Sequence, residues 1–476
     1  HYIDGSADEP AQFFDLCRSE YERVSDRRGA GRALLMLADQ RWVDGRTTEA
    51  LSSAVEVVDS AGSLGDTELR TAALLSVARF SSTLGMPEEA LCRLSDLEGQ
   101  LDGADAGALS SLKEIRGEAL AALGHTKASL AYLCGAAQLA MKTGSPELIA
   151  QVENNVALSA CDLGELQIAI EHHRHALEEA GRTAMMWRAA YCSLGFARTL
   201  MLAGDLRAAR TLMWSALETG VTTATFKTKA AAVGIPIALM LNDLAMLETC
   251  AREETLELAH RSGEAQRVAS VSAAFAELRA EQGSLNEAQA LVTRALRVLT
   301  CAHRAWDLLV SAARFGTSAD VAAARTLLQS AGGRPRVRRA YHLLFEASTC
   351  NADPRRSRLA KIAAREFESM GDMLHSAQCL ELAGERDAAA AIYRRMGSVR
   401  DAQRLQAGTS NGAVDLTPRQ TEIARQVALG RTNRQIATQL NISEHTVEHH
   451  VSAIFERLGL KSRAQLVRVM ARAEAE

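Results

Sequence analysis

The chain has 476 residues, 47% apolar and 24% charged, with 54 basic and 58 acidic side chains and a net charge of −4. These proportions exclude wholesale disorder. The near-neutral balance excludes a uniformly basic nucleic-acid protein but leaves room for a small basic module. Aromatic residues make up only 4% and there are seven prolines, so strand formers and helix breakers are both scarce. With abundant Ala and Leu, the fold class expected is all-α.

The first residues, His1-Tyr2-Ile3-Asp4, carry neither the basic nor the apolar segment of a secretion signal. The chain starts on His1 rather than Met, and we expect a piece of something longer. The longest apolar run, residues 230–241, is interrupted by Gly234 and Pro236. It falls short of the roughly 20 residues that cross a bilayer. A cytoplasmic protein with no membrane partner is expected. The nine cysteines (17, 92, 134, 161, 192, 250, 301, 350 and 379) are odd in number, widely spaced and free of any CxxC. That pattern fits reduced thiols acting as small core residues.

An internal repeat runs through most of the chain. Gly45, Gly85, Gly124, Gly164, Gly204, Asn242 and Gly283 follow one another at steps of 38 to 41 residues. Five residues after most of them comes a small residue: Ala50, Ala90, Ser129, Ala169, Ala209 or Ala288. Gly or Asn ends a first helix in the left-handed conformation, and the small residue lets a second helix approach closely. A further set, Gly62, Gly144, Gly181, Gly220 and Gly263, is expected to close the second helices. Beyond residue 283 the step shortens to 33–35 through Gly316, Asn351 and Gly384, and Ala389 again follows by five. Two helices cannot bury their apolar faces alone, so such units stack into a superhelix. About nine pairs are expected up to Leu405. The pattern resembles tetratricopeptide repeats in a longer form.

Two local features invite a function. In Glu171-His172-His173-Arg174-His175, His172 and His175 share a helical face and could ligate a metal, but no carboxylate or Cys partner is evident in the sequence. A solvated helix surface is the simpler reading, and no metal is expected. Between Arg325 and Arg365, ten basic residues meet only Glu346 and Asp353. That stripe suits DNA phosphates or an acidic partner, or simply a solvated outer face.

After Leu405 the sequence turns small and polar, as in a flexible linker. We therefore divide the chain into a superhelical sensor or interaction domain at 1–405, a linker at 406–415 and a terminal domain at 416–476. The terminal domain shows four helix starts. Thr417-Pro418-Arg419-Gln420, Thr432-Asn433-Arg434-Gln435 and Ser462-Arg463-Ala464-Gln465 are capping boxes, and Ser443-Glu444 is a cap with an acid in the first turn. Gly430 and Gly459 stand where helices must stop. Four short helices with tight turns form a helix-turn-helix pattern. On the third, Val447, Val451, Ile454 and Leu458 make one apolar stripe. The other face carries His445, His449, Ser452 and Glu456, flanked by Glu448, short polar groups that suit base edges in a major groove. Arg419, Arg425, Arg431, Arg434, Arg457, Lys461 and Arg463 are candidates for phosphate contacts.

Four segments here, Leu416-Thr-Pro-Arg-Gln-Thr-Glu-Ile, Gly430-Arg-Thr-Asn-Arg-Gln-Ile-Ala, Ile442-Ser-Glu-His-Thr-Val-Glu-His-His-Val and Lys461-Ser-Arg-Ala, resemble the LuxR/GerE-type DNA-binding domain. With the repeats upstream, the chain is similar to the carboxyl-terminal part of a large ATP-binding LuxR-type regulator. The resemblance implies that helix 444–457 is the recognition helix. It implies base contacts from Glu448, His449 and Ser452, which His445 joins on the same face. It also implies backbone contacts from Asn433, Arg434 and Thr446, with Arg431, Lys461 and Arg463 nearby. A two-fold dimer contact is implied around Gln465, Leu466, Val469 and Met470. Gln420 stands where Glu is usual, and Glu448 where Lys is frequent. A carboxylate there accepts from a cytosine amino group rather than donating to guanine.

The partners implied are double-stranded DNA, a second copy of the chain on DNA, RNA polymerase, and an inducer or protein on the inner face of the superhelix. The chain has no GxxxxGK[ST] phosphate loop, so no cofactor and no enzyme activity are expected in it; an ATPase domain would precede residue 1. The rival reading is a repeat-based adaptor whose terminal bundle serves assembly only.

Overall fold

The computed structural model describes residues 8–98, 101, 105–183, 185–299, 304–330, 335–350, 352–407, 418–440, 442–457 and 466. Among these residues every regular element is an α-helix and no strand occurs. Two compact units are resolved, residues 1–400 and 401–476. The boundary expected at Leu405 lies inside the helix Val399–Ala407, and the expected linker falls, from residue 408 on, outside the described residues.

The first unit is a series of helix pairs, and all seven long-period markers do what the backbone argument requires. Their φ angles run from 53° at Asn242 to 90° at Gly204. The small residues that follow by five are buried at helix–helix contacts: Ala50, Ala90, Ala169, Ala209, Ala288, Ala389 and Ser129 are each fully excluded from solvent. The pairs are Arg27–Val43 with Thr47–Leu64, Thr67–Thr83 with Pro87–Glu98, Ala106–Ala122 with Thr126–Thr143, Pro146–Leu163 with Leu166–Gly181, and Met186–Ala203 with Leu206–Leu217. Then come Ala224–Leu241 with Leu244–Cys250, Ala265–Glu281 with Leu285–Leu296, Trp306–Phe315 with Ser318–Ser330, Pro335–Thr349 with Asp353–Ser369, and Met373–Leu382 with Arg386–Met396. That makes ten pairs among the described residues rather than nine, with Asp8–Arg23, Glu254–Arg261 and Val399–Ala407 as single helices.

Side-chain caps start many of the helices. Asp66 accepts from Leu69 N, Ser145 from Leu148 N, Asp205 from Ala208 N, Asp243 from Met246 N and Asp372 from His375 N, satisfying amides that have no partner inside the helix. The two helices of a pair differ in burial. Met186–Ala203 buries residues on several faces, among them Ala190, Cys192, Leu194, Phe196, Ala197, Leu200 and Met201. Its partner Leu206–Leu217 buries only Leu206, Ala209, Met213 and Ala216, a single stripe at spacing 3, 4 and 3. First helices therefore lie inside the solenoid and second helices outside.

Three expectations about glycine are corrected. Gly62 lies within Thr47–Leu64, and Gly65 at φ 67° ends that helix. Gly181 is helical; the chain turns through Thr183, whose hydroxyl accepts from Met185 N, so no left-handed residue is needed. Gly316 is extended at φ −72° and is small for another reason: a Cβ there would come within 2.6 Å of the Ala312 carbonyl oxygen. Asn351 lies outside the described residues. The apolar run is also longer than it looked, because the whole of Ala224–Leu241 has a mean hydropathy of 1.3. Its apolarity is used within the unit, where it packs against Met186–Ala203 and Ala265–Glu281. Among the described residues eight cysteines are free; Cys192, Cys250 and Cys379 are buried, but Cys92 is exposed.

The repeats wind back on themselves. Thr47 Oγ1 donates to Glu264 Oε1 at 2.8 Å across 217 residues, Thr225 Oγ1 to the Trp42 carbonyl across 183, and Ser398 Oγ to the Met240 carbonyl across 158. Gly164 abuts Met370 and Val337, and Gly204 abuts Met373 and Met396. One turn of the superhelix thus takes about five 40-residue steps, and successive turns touch.

The second unit has its own core. Ile423, Ala424 and Val427 of Pro418–Ala428, Ile436 and Ala437 of Asn433–Leu440, and Val447, Val451 and Ile454 of Glu444–Arg457 close around Leu466. Gly430 at φ 78° ends the first of these helices, as its position predicted.

Candidate nucleic-acid interface and interior cavity

In the terminal unit, capping fixes where the helix Glu444–Arg457 begins. Ser443 Oγ accepts from Thr446 N at 3.0 Å and lies 2.7 Å from Thr446 Oγ1. Thr446, expected to meet the DNA backbone, therefore sits at the helix start beside its cap. The preceding helix has the reciprocal box: Thr432 N donates to Gln435 Oε1 at 2.9 Å, and Gln435 N to Thr432 Oγ1 at 3.3 Å. Two well-started helices joined by a short turn then present opposite faces of Glu444–Arg457. Val447 and Ile454 are fully buried, whereas Glu448, His449 and Ser452 are exposed. Burial together with the coulombic effect of His449 and Arg419 pushes the neighbouring His450 imidazole below its usual range, so its neutral form is favoured.

The cations separate into two groups. Arg434 and Arg425 are exposed, and Asn433 and Arg431 are partly so. Arg431 Nη1 donates to Gln426 Oε1 at 2.6 Å, which directs its guanidinium. Arg419 serves the fold instead. It donates to Glu422 at 2.6 Å and to the Leu440 carbonyl at 3.0 Å, tying the first helix to the end of the second. Leu466, expected at a dimer contact, is fully buried in the domain core and cannot serve there. The side chain of His445, and Lys461, Arg463, Gln465, Val469 and Met470, lie outside the described residues, as does the capping box at Thr417.

The other features noted in the sequence resolve mostly as structure. Glu153 supplies the carboxylate that the sequence did not reveal beside His172 and His175: its oxygens lie 2.5 and 3.3 Å from the two Nδ1 atoms. Among the described residues, however, no three His, Cys, Asp or Glu side chains are placed to hold a metal. His173 between them is fully buried and stacked on Phe196, and burial pushes its imidazole down to about 3. The basic stripe is largely paired: Arg325 with Glu346, Arg339 with Glu366, Lys361 with Glu385 and Arg356 with Asp353, while Arg336 donates to Ser369. Carboxylates beyond residue 365 account for part of this, which a count ending there misses.

Sequence reasoning did not find the interior of the first unit. A cavity of about 240 Å³ opens between Met186–Ala203, Ala224–Leu241, Ala265–Glu281 and the helices starting at Trp306 and Pro335. Its wall combines Tyr191, Trp306, Tyr341 and Met370 with Arg198, Lys229, Arg267 and Arg304 and with Asp162, Glu264, Asp307 and Asp372. Charged groups at such depth persist only when paired. Arg304 meets Asp162 at 3.0 Å, Arg198 meets Asp307 at 3.2 Å, Arg267 meets Glu264 at 2.9 Å and His375 meets Asp372 at 2.7 Å. Burial works against protonation of His375, but Asp372 outweighs it and raises the imidazole pKa. The available signal was Lys229 itself, a cation inside the most apolar of the described helices.

Residues 414–470 match the family model described as bacterial regulatory proteins, luxR family. Within this region the chain is 40% identical over 63 residues to the HTH-type transcriptional regulator Rv0890c of Mycobacterium tuberculosis, covering 13% of this chain and 7% of that protein. It is 40% identical over 55 residues to the transcriptional regulatory protein LnrK of Bacillus subtilis, covering 12% of this chain and 25% of that one. The matches thus span a quarter or less of these relatives' length. A solved structure of a Rap protein complexed with Competence and Sporulation Factor aligns with a TM-score of 0.46 and 14% identity, over 79% of this chain and 99% of that one. Residues 414–470 are a helix-turn-helix domain of the luxR family of bacterial regulatory proteins.

Proposed function

We propose that this chain is the carboxyl-terminal part of a large ATP-binding LuxR-type transcription regulator that acts in the cytoplasm. The repeat unit senses an inducer or a partner protein on its inner face, and the terminal domain reads a two-fold DNA site as a dimer. The observation that carries the reading is the division of Glu444–Arg457: Val447, Val451 and Ile454 inward, Glu448, His449 and Ser452 outward. A helix held this way by its own core presents donors and acceptors at major-groove depth. Asn433, Arg434, Thr446, Arg431, Lys461 and Arg463 make the phosphate contacts, and Gln465, Val469 and Met470 the dimer contact. RNA polymerase is the partner downstream.

The test is selection of bound duplexes by this chain from random DNA at two salt concentrations. A repeated half-site with regular spacing is expected, with affinity falling steeply as salt rises. Retention of duplexes without any enriched sequence, or no retention, refutes sequence-specific readout.

A further inference from the structure

Four cations and four carboxylates line the cavity of the repeat unit, but Asp372 is taken by His375, so one cation is left without a carboxylate partner. Each carboxylate in its wall has a cation: Asp162 has Arg304, Asp307 has Arg198, Glu264 has Arg267 and Asp372 has His375. Lys229 remains. Its ammonium lies 3.4 Å from the Tyr191 carbonyl oxygen and 3.5 Å from the centre of the Tyr191 ring, and among the described residues it forms no ion pair. Both contacts are weaker partners for an ammonium than a carboxylate. A methionine would fill the same space without the cost of desolvating a charge.

Size and shape narrow the ligand. Benzene fills an engineered cavity of roughly 150 Å³, and this space measures about 240 Å³. Trp306 and Tyr341 stack at 5.3 Å and Tyr191 lies under Lys229, so the walls offer flat apolar surface beside the free cation. Resting on the sensor reading above, we infer that this cavity binds a small organic anion of about the size of a substituted benzene ring. Lys229 pairs with its acidic group, Arg198 and Arg304 line the same space, and its apolar body lies against Tyr191 and Trp306.

The environment of Lys229 makes the binding depend on pH. Burial, then the facing Arg304 and Arg198 guanidiniums, push its ammonium down to about 7, while the Cys192 thiol works the other way. His173 stays neutral, and Arg267 and Glu264 face the cavity as a pair. An anion binds the protonated amine, so affinity is full below pH 7 and falls as pH rises through it.

The test is calorimetric titration of the full chain with benzoate and with its neutral isostere benzamide. At pH 6.5 benzoate is expected to bind at least tenfold tighter than benzamide, and to lose roughly tenfold or more by pH 8.5. Lys229→Met abolishes the preference for the anion. Lys229→Arg keeps the preference but not the pH dependence, because a guanidinium does not titrate there. Equal binding of the two probes, no binding of either, or a preference that survives Lys229→Met overturns the inference. Duplex binding is measured on the same preparations. In the unsubstituted chain, no anion preference with DNA binding intact sinks the cavity assignment and leaves the regulator reading standing; anion preference without DNA binding sinks the regulator reading alone.

Discussion

The two units dispose of their polar groups in opposite directions. The terminal domain is a small apolar core of Ile, Val, Leu and Ala with its hydrogen-bonding side chains turned outward. The repeat unit keeps arginines, a lysine and carboxylates around an internal cavity, while Ala-rich helices pack behind them. A chemically readable surface is useful for a macromolecule when it faces out and for a small molecule when it faces in. On the reading proposed above, the outward-facing groups take a macromolecule and the inward-facing groups a small molecule.

The largest expected effect breaks the outward-facing half. Ile454→Ala should cost the terminal domain about 2–5 kcal/mol, read by urea denaturation, because a fully buried side chain leaves a cavity. Nearly as large is the pair Gly164→Ala and Gly144→Ala. Both residues have positive φ, but a Cβ at Gly144 meets nothing within 4 Å, whereas at Gly164 it would strike Met370. The first should cost about 1–2 kcal/mol more than the second, through overpacking against the next turn of the superhelix. Equal losses would show that Met370 yields to the added methyl at no cost.

Smaller effects sharpen the comparison. His449→Ala, on the same helix as Ile454, should leave stability unchanged within about 0.5 kcal/mol. It should relax specificity at one base position by roughly 1–3 kcal/mol, measured by competition between duplexes. In the repeat unit, Lys229 binds fewer protons when folded than unfolded between about pH 7 and its ordinary 10.5. Stability of the native chain relative to Lys229→Met should therefore rise with pH across that window, by at most about 1.4 kcal/mol per unit. A difference that falls with pH has the wrong sign for a destabilised ammonium. Last, Arg434→Ala should weaken all duplexes alike and reduce the slope of log affinity against log salt by about one.

What could be read from the sequence was whatever is decided locally. A glycine or asparagine followed five residues later by a small side chain fixes a turn and a close helix contact; all seven long-period markers took a positive φ, and only Asn242, followed by Leu247, lacks the small residue. The buried stripe Val447, Val451 and Ile454 is equally local, because helical period alone sorts its faces. Gly62 and Gly181 misled because glycine is permitted in helices as well as at their ends, and Gly65 or Thr183 did the stopping. Leu466 misled because a leucine in a last helix suits a partner and a core equally well. The cavity was invisible for a deeper reason. Its wall draws on residues from Leu158 to Asp372, and they meet only through the summed small rotations of many stacked helices.

The bonds from Thr47 to Glu264 and from Ser398 to Met240 have one more consequence. An open array can fray from either end, one module at a time. A coil whose successive windings are bonded together behaves like a wound spring with its loops stitched. Removing a single 40-residue module would put every later stitch out of phase, so this part of the chain should melt as one piece and tolerate insertion in its outer loops far better than deletion within it.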